Sequence, residues 1–192
     1  MKSILTTITC VVAFLSLTLR AEEPGPSSPP PPAAIEDAMV MVGAWSDTTV
    51  SGFNLKWMAD SADMLHVALS APTTGWVAVG FKPSSMKKDA NLIIGYVKAD
   101  SVFIDDNFGT SAVLHEPDTS LGGTQDVGDV EGSEAEGVTR ISFAIPLDSR
   151  DKYDQKLVRG ERVKVILACA PNGADNFTYV HRTVASLTIE IR

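Results

Sequence analysis

Along residues 39–192 the apolar side chains fall into short runs, many of them β-branched, separated by Gly, Pro, Asn and Asp. The runs lie near 39–45, 53–58, 63–70, 75–81, 91–98, 101–105, 138–145, 162–169 and 184–191. Several alternate with period two, the mark of a strand that buries one face. Leu65, Val67 and Leu69 stand against Met64, His66 and Ala68, and Ile141, Phe143 and Ile145 against Arg140, Ser142 and Ala144. In the first of these, His66 opposes the Leu65 face and is expected to point to solvent or into a second layer. No stretch keeps a helical period over several turns. Short strands punctuated this way predict an all-β chain, an antiparallel immunoglobulin-like β-sandwich of about nine to eleven strands.

The first residues depart from this pattern. Lys2 precedes an apolar stretch from Ile4 to Leu19, and Ala21 offers a small residue at a cleavage position. This predicts a signal peptide over 1–21, since about 16 apolar residues is short for a membrane span. Residues 22–38 begin with the Pro-rich run EEPGPSSPPPPAA, which lacks the large apolar side chains a core needs and reads as an extended tether. The remaining 39–192 suffice for one domain. The expected location is secreted, periplasmic or extracellular, with membrane contact only if the N-terminal segment is retained.

Charge narrows the partners. Removing residues 1–21 takes away Lys2 and Arg20 and no acid, moving the formal charge from −8 to −10. Such an acidic chain is unsuited to nucleic acid. Residues 99–139 hold ten acids and no Lys or Arg. They read either as a solvated region that keeps the domain soluble or as a docking face for a basic partner. Calcium is the weaker option, because the acids lack EF-hand spacing.

Only Cys169 remains after signal cleavage, so no intramolecular disulfide forms, and its alternation with Val163, Val165 and Leu167 makes it a core residue. The chain has no C-x-x-C-H, nucleophile elbow, phosphate loop or zinc motif, and so reads as a carrier or binder rather than an enzyme. Two residues stand out. Met86 sits in the polar connection KPSSMKKDAN, beside Lys87 and Lys88, an odd place for a packing residue. His181 directly precedes the last apolar run. Trp76 and Tyr96, on the strands bracketing Met86, either wall an apolar pocket or belong to the core.

Five blocks carry a resemblance over roughly residues 40–192: GWVAVGFKPSSMKKDANLIIGYV (75–97), FIDDNFGTS (103–111), HEPDTSLGGTQDV (115–127), ISFAIPLDSRDKYDQKLVRGE (141–161) and VILACAPNGADNFTYVH (165–181). In this order they resemble a DOMON domain, with the nearest likeness to its single-domain, secreted, cytochrome-b-like members. That resemblance implies a non-covalent haem b whose iron is held by Met86 and His181, with Arg182 available to a propionate. His115, in the HEPD block, competes as a ligand. A thioether opposite an imidazole fills the iron and suits electron transfer. The implied function is an exported electron carrier or the redox partner of an oxidoreductase. The family also contains haem-free members, so the alternative is a carbohydrate- or other ligand-binding module on the same sandwich.

Overall fold

The computed structural model describes residues 44–192; the expected signal peptide, the tether and most of the first apolar run lie outside the described residues. The remaining runs form strands in two antiparallel sheets. The strands are β1 (Ser46–Val50), β2 (Phe53–Ala59), β3 (Met64–Ala71), β4 (Val77–Phe81), β5 (Asn91–Lys98), β6 (Ser101–Phe108), β7 (Glu116–Pro117), β8 (Gly128–Ala135), β9 (Val138–Pro146), β10 (Arg162–Cys169) and β11 (Thr183–Glu190). One sheet has the order β1-β2-β3-β9-β8 and the other β11-β10-β4-β5-β6-β7. Among the described residues a single short helix, α1 (Asp118–Leu121), follows β7. The expected β-sandwich is therefore correct, at the upper end of the expected strand number.

Turn chemistry sets the register of three hairpins. The two residues joining β1 to β2, β5 to β6 and β8 to β9 all have positive φ: Ser51 and Gly52, Ala99 and Asp100, Glu136 and Gly137. Two left-handed residues make the tight turn whose twist matches that of paired strands. With register fixed, alternation decides which side chains meet. Leu65, Val67, Leu69, Ile141, Phe143 and Ile145 from one sheet face Val79, Phe81, Ile93, Val165, Leu167 and Cys169 from the other. Each large side chain fully withdrawn from water in this layer stabilises the fold by about 1.5–3 kcal/mol. Trp57 adds its ring to the layer and donates its indole N–H to the Glu190 carbonyl at 2.8 Å.

His66 is not solvent-facing. Its Nε2 lies 2.8 Å from Asp60 Oδ2 in a buried pair. β8 is a strand that hydrophobic alternation misses, because it is an edge strand carrying exposed Asp129, Glu131 and Glu134. Charges along an unpaired edge oppose pairing with another chain.

Candidate functional site

The outer face of the six-stranded sheet is apolar. Ala168, Ala78 and Ile94 stand side by side across β10, β4 and β5, and Ile166, Gly80 and Leu92 form the next row. A Cβ on Gly80 would come within 2.5 Å of Leu92 Cδ2 and 2.8 Å of Ile166 Cγ1, so glycine lets its neighbours lean over the strand. Trp76, Ala78, Ile94, Ala170 and Ala174 make a second apolar cluster, with Tyr96 and Phe177 packed against it. Tyr96 stacks on Phe103 with ring centroids 4.8 Å apart and meets Phe177 edge-on at 5.0 Å. Trp76 donates its indole N–H to the Tyr179 carbonyl at 3.2 Å. Trp76 and Tyr96, expected either to wall a pocket or to belong to the core, thus share one face in a small packed cluster under the segment that leads to His181.

Met86 occupies the tip of the β4–β5 connection. The Lys88 N–H donates to the Ser85 carbonyl and the Ser84 N–H to the Lys88 carbonyl, both at 2.9 Å, closing a tight turn. Met86 is the second residue of that turn, with φ 51°, and is 62% exposed. A left-handed conformation costs a side-chain-bearing residue about 1–2 kcal/mol, so neither packing nor backbone preference asks for methionine there. Gly109 holds the turn. It donates to the Ala90 carbonyl at 2.9 Å and accepts from the Asp89 N–H at 2.7 Å, and a Cβ on it would strike the Lys87 carbonyl.

Three segments gather at this end. The Lys87 N–H reaches toward the Ala112 carbonyl at 3.5 Å, beside exposed Val113 and Leu114. The Lys87 ammonium lies close enough to both His115 and His181 to affect their titration. Burial, aided by that charge, pushes His115 down to about 4 and lowers His181 as well. An imidazole held neutral near pH 7 keeps the lone pair that a metal needs. His115 Nδ1 lies 3.0 Å from Asn107 Oδ1, an acceptor that fixes the ring with Nε2 free. Arg182 donates from Nη2 to the Pro72 carbonyl at 3.0 Å, and its backbone N–H to the Cys169 carbonyl at 2.8 Å. Val180 and Val184 leave further apolar surface exposed on either side of His181.

One thioether and two imidazoles of lowered pKa, at one end of a sheet with an apolar outer face, are side chains that could hold a haem iron. A DOMON domain profile matches residues 49–170. The chain belongs to the DOMON family. This DOMON protein is similar in structure to the cytochrome b domain of pyranose dehydrogenase from Coprinopsis cinerea, with a TM-score of 0.59 and 14% identity over 76% of this chain and 81% of that one. It is also similar to the cytochrome domain of Myriococcum thermophilum cellobiose dehydrogenase, with a TM-score of 0.50 and 11% identity over 78% and 82% of the two chains. Likeness at these identities is a likeness of fold. No curated protein matches the sequence.

Sequence reasoning passed over Lys87 and Gly109, whose roles depend on what folding brings beside them. It also treated the acids of 99–139 as one surface. In the DOMON fold Asp106 and Asp118 are only 1% exposed, because Asp106 follows the inward side of β6 and Asp118 opens α1 against it. The solvated acids are those of β8 together with Asp100, Glu116 and Glu136.

Proposed function

We propose that this protein is an exported electron carrier that binds haem b without a covalent link, its iron to be held by Met86 and His181. The observation that carries the reading is Met86, exposed and left-handed at the same end as two neutral imidazoles. Bound haem would supply a one-electron couple, and two protein ligands on the iron favour electron transfer over substrate chemistry. The Met86 thioether favours the reduced state, and the neutral His181 imidazole supplies the stronger bond. Trp76 and Tyr96 supply an apolar wall, and Arg182 follows His181 with a guanidinium shaped for a propionate. The cytochrome domains of the two dehydrogenases support this reading, as does the absence of a catalytic constellation in the sequence.

The partner that fits is an oxidoreductase with a basic face, drawn to exposed Asp129, Glu131 and Glu134. The deciding experiment is an absorption spectrum before and after dithionite. A low-spin, six-coordinate haem that acidified solvent extracts is expected. A colourless protein that takes up no added haem would end the proposal.

One feature favours the haem-free alternative. A groove of about 520 Å³ between β1 and β11 is lined by Trp45, Asp47, Thr188, Glu190 and Arg192 among others, and Trp45 is 43% exposed. An exposed aromatic ring among polar groups suits a sugar. Colourless protein retained on polysaccharide through Trp45 would establish that reading instead.

A further inference from the structure

On the inward side of β6 carboxylates converge from separate parts of the chain. Asp106 comes from β6, Asp126 from the approach to β8 and Asp154 from the β9–β10 connection, and each presents an oxygen within 4.8 Å of the others. Two oxygens bound to one ion at about 2.3–2.6 Å stand no farther apart than about 5 Å. Four oxygens on three side chains lack the partners that buried oxygens normally have. Both carboxylate oxygens of Asp118, Oδ1 of Asp106 and Oδ1 of Asn91 are buried with no hydrogen-bond donor, although Asp118 and Asp106 are each 1% exposed and Asn91 5%. Asn91 is fixed beside the cluster by donating Nδ2 to Asp154 Oδ1 at 2.5 Å. Asp151 is engaged elsewhere, accepting from the Thr124 N–H and hydroxyl. Orphaned buried acceptors of this kind are rare, and an unrecorded ion is one of the few accounts of them.

We propose that Asp106, Asp118, Asp126 and Asp154, with the Asn91 amide oxygen, form a calcium site. The donors are all oxygen, which excludes the soft and nitrogen-preferring metals. Five protein oxygens from five segments suit the irregular, high coordination of calcium, whereas magnesium keeps several waters in a strict octahedron. The mutual proximity of these carboxylates is felt in their titration. Burial, then the neighbouring carboxylates, push Asp106 up to about 8, Asp118 to about 7 and Asp154 to about 6. A divalent cation relieves that repulsion. No EF-hand spacing is present because the ligands are assembled by the sandwich rather than by one loop. The ion would pin α1 and the β9–β10 connection onto β6, one residue from Asn107, which holds His115.

This site is independent of the haem reading, and its test reads calcium alone. Purified protein stripped with EGTA is titrated with calcium chloride by calorimetry and followed by thermal melting, with magnesium chloride in parallel. One calcium per chain and a melting midpoint several degrees higher are expected, with magnesium much less effective. Asp118→Asn should weaken calcium binding by about tenfold or more, and Asp154→Asn, at a less buried position, should do the same if the first variant folds poorly. Glu131→Gln on β8 should leave binding unchanged. No heat and no shift in midpoint at about 10 mM calcium, an equal response to magnesium, or unaltered affinity in both aspartate variants would overturn the proposal.

Discussion

Replacing Met86 by Ala separates a ligand from a packing residue. Met86 is 62% exposed, so roughly two-fifths of its side chain is withdrawn from water. Full burial of a Met stabilises by about 1.5–3 kcal/mol, and two-fifths of that is about 0.6–1.2 kcal/mol. The left-handed φ of 51° burdens Ala and Met alike and cancels in the comparison. Met86→Ala should therefore cost haem-free protein no more than about 1 kcal/mol in urea unfolding. Met58 is fully buried, and Met58→Ala provides the contrast at about 2–5 kcal/mol. In haem-loaded protein the order reverses. Met86→Ala should convert the low-spin spectrum to high spin and shift the potential downward, while Met58→Ala leaves the spectrum unchanged. A loss above about 2 kcal/mol in haem-free Met86→Ala would make it a structural residue, and a retained low-spin spectrum would remove it from the iron.

Three further outcomes follow from the geometry. His181→Ala should lose most of the haem while His115→Ala keeps the low-spin spectrum; the opposite result in reconstituted protein would move the imidazole ligand to His115. Gly109→Ala drives a Cβ into the Lys87 carbonyl and disturbs the hydrogen bonds at Ala90 and Asp89, so a loss of about 1–3 kcal/mol with a perturbed Met86 signal is expected by denaturation and spectroscopy. An unchanged protein would mean that the turn is not held there. Asp60 accepts from the Ala62 and Met64 amides and from His66; burial pushes its carboxyl up, but these bonds outweigh it and hold it below the ordinary aspartate value. Since the folded value lies below the unfolded one near 3.8, the stabilisation is complete above that pH and is lost as pH falls through the folded value. Asp60→Asn should accordingly cost about 1–3 kcal/mol at pH 7, with the difference from the unsubstituted protein closing at lower pH. A difference that persists at low pH would show that the carboxylate charge is not its source.

The sequence by itself determined the sheet layers. Period-two alternation in Leu65–Leu69, Ile141–Ile145 and Val163–Cys169 decides which face is buried, because successive side chains on a strand point to opposite sides. It also marked Met86 by its polar surroundings, while His181, ahead of the last strand, is preferred through the resemblance to DOMON domains. It missed β1, β7 and β8, the last an edge strand that carries charge rather than alternation, and it left His66 between solvent and a second layer, where Asp60 draws it into a buried pair. Tertiary structure alone decided that Lys87 lies near both His115 and His181, that Gly109 supports the Met86 turn, and that Asp106, Asp126 and Asp154 converge with buried Asp118 nearby while the acids of β8 stay in water. Local pattern records which face of a strand avoids water. Which loops meet at the ends of the sandwich depends on the pairing of strands far apart in the chain, such as β4 with β10 and β3 with β9, and no local spacing encodes that.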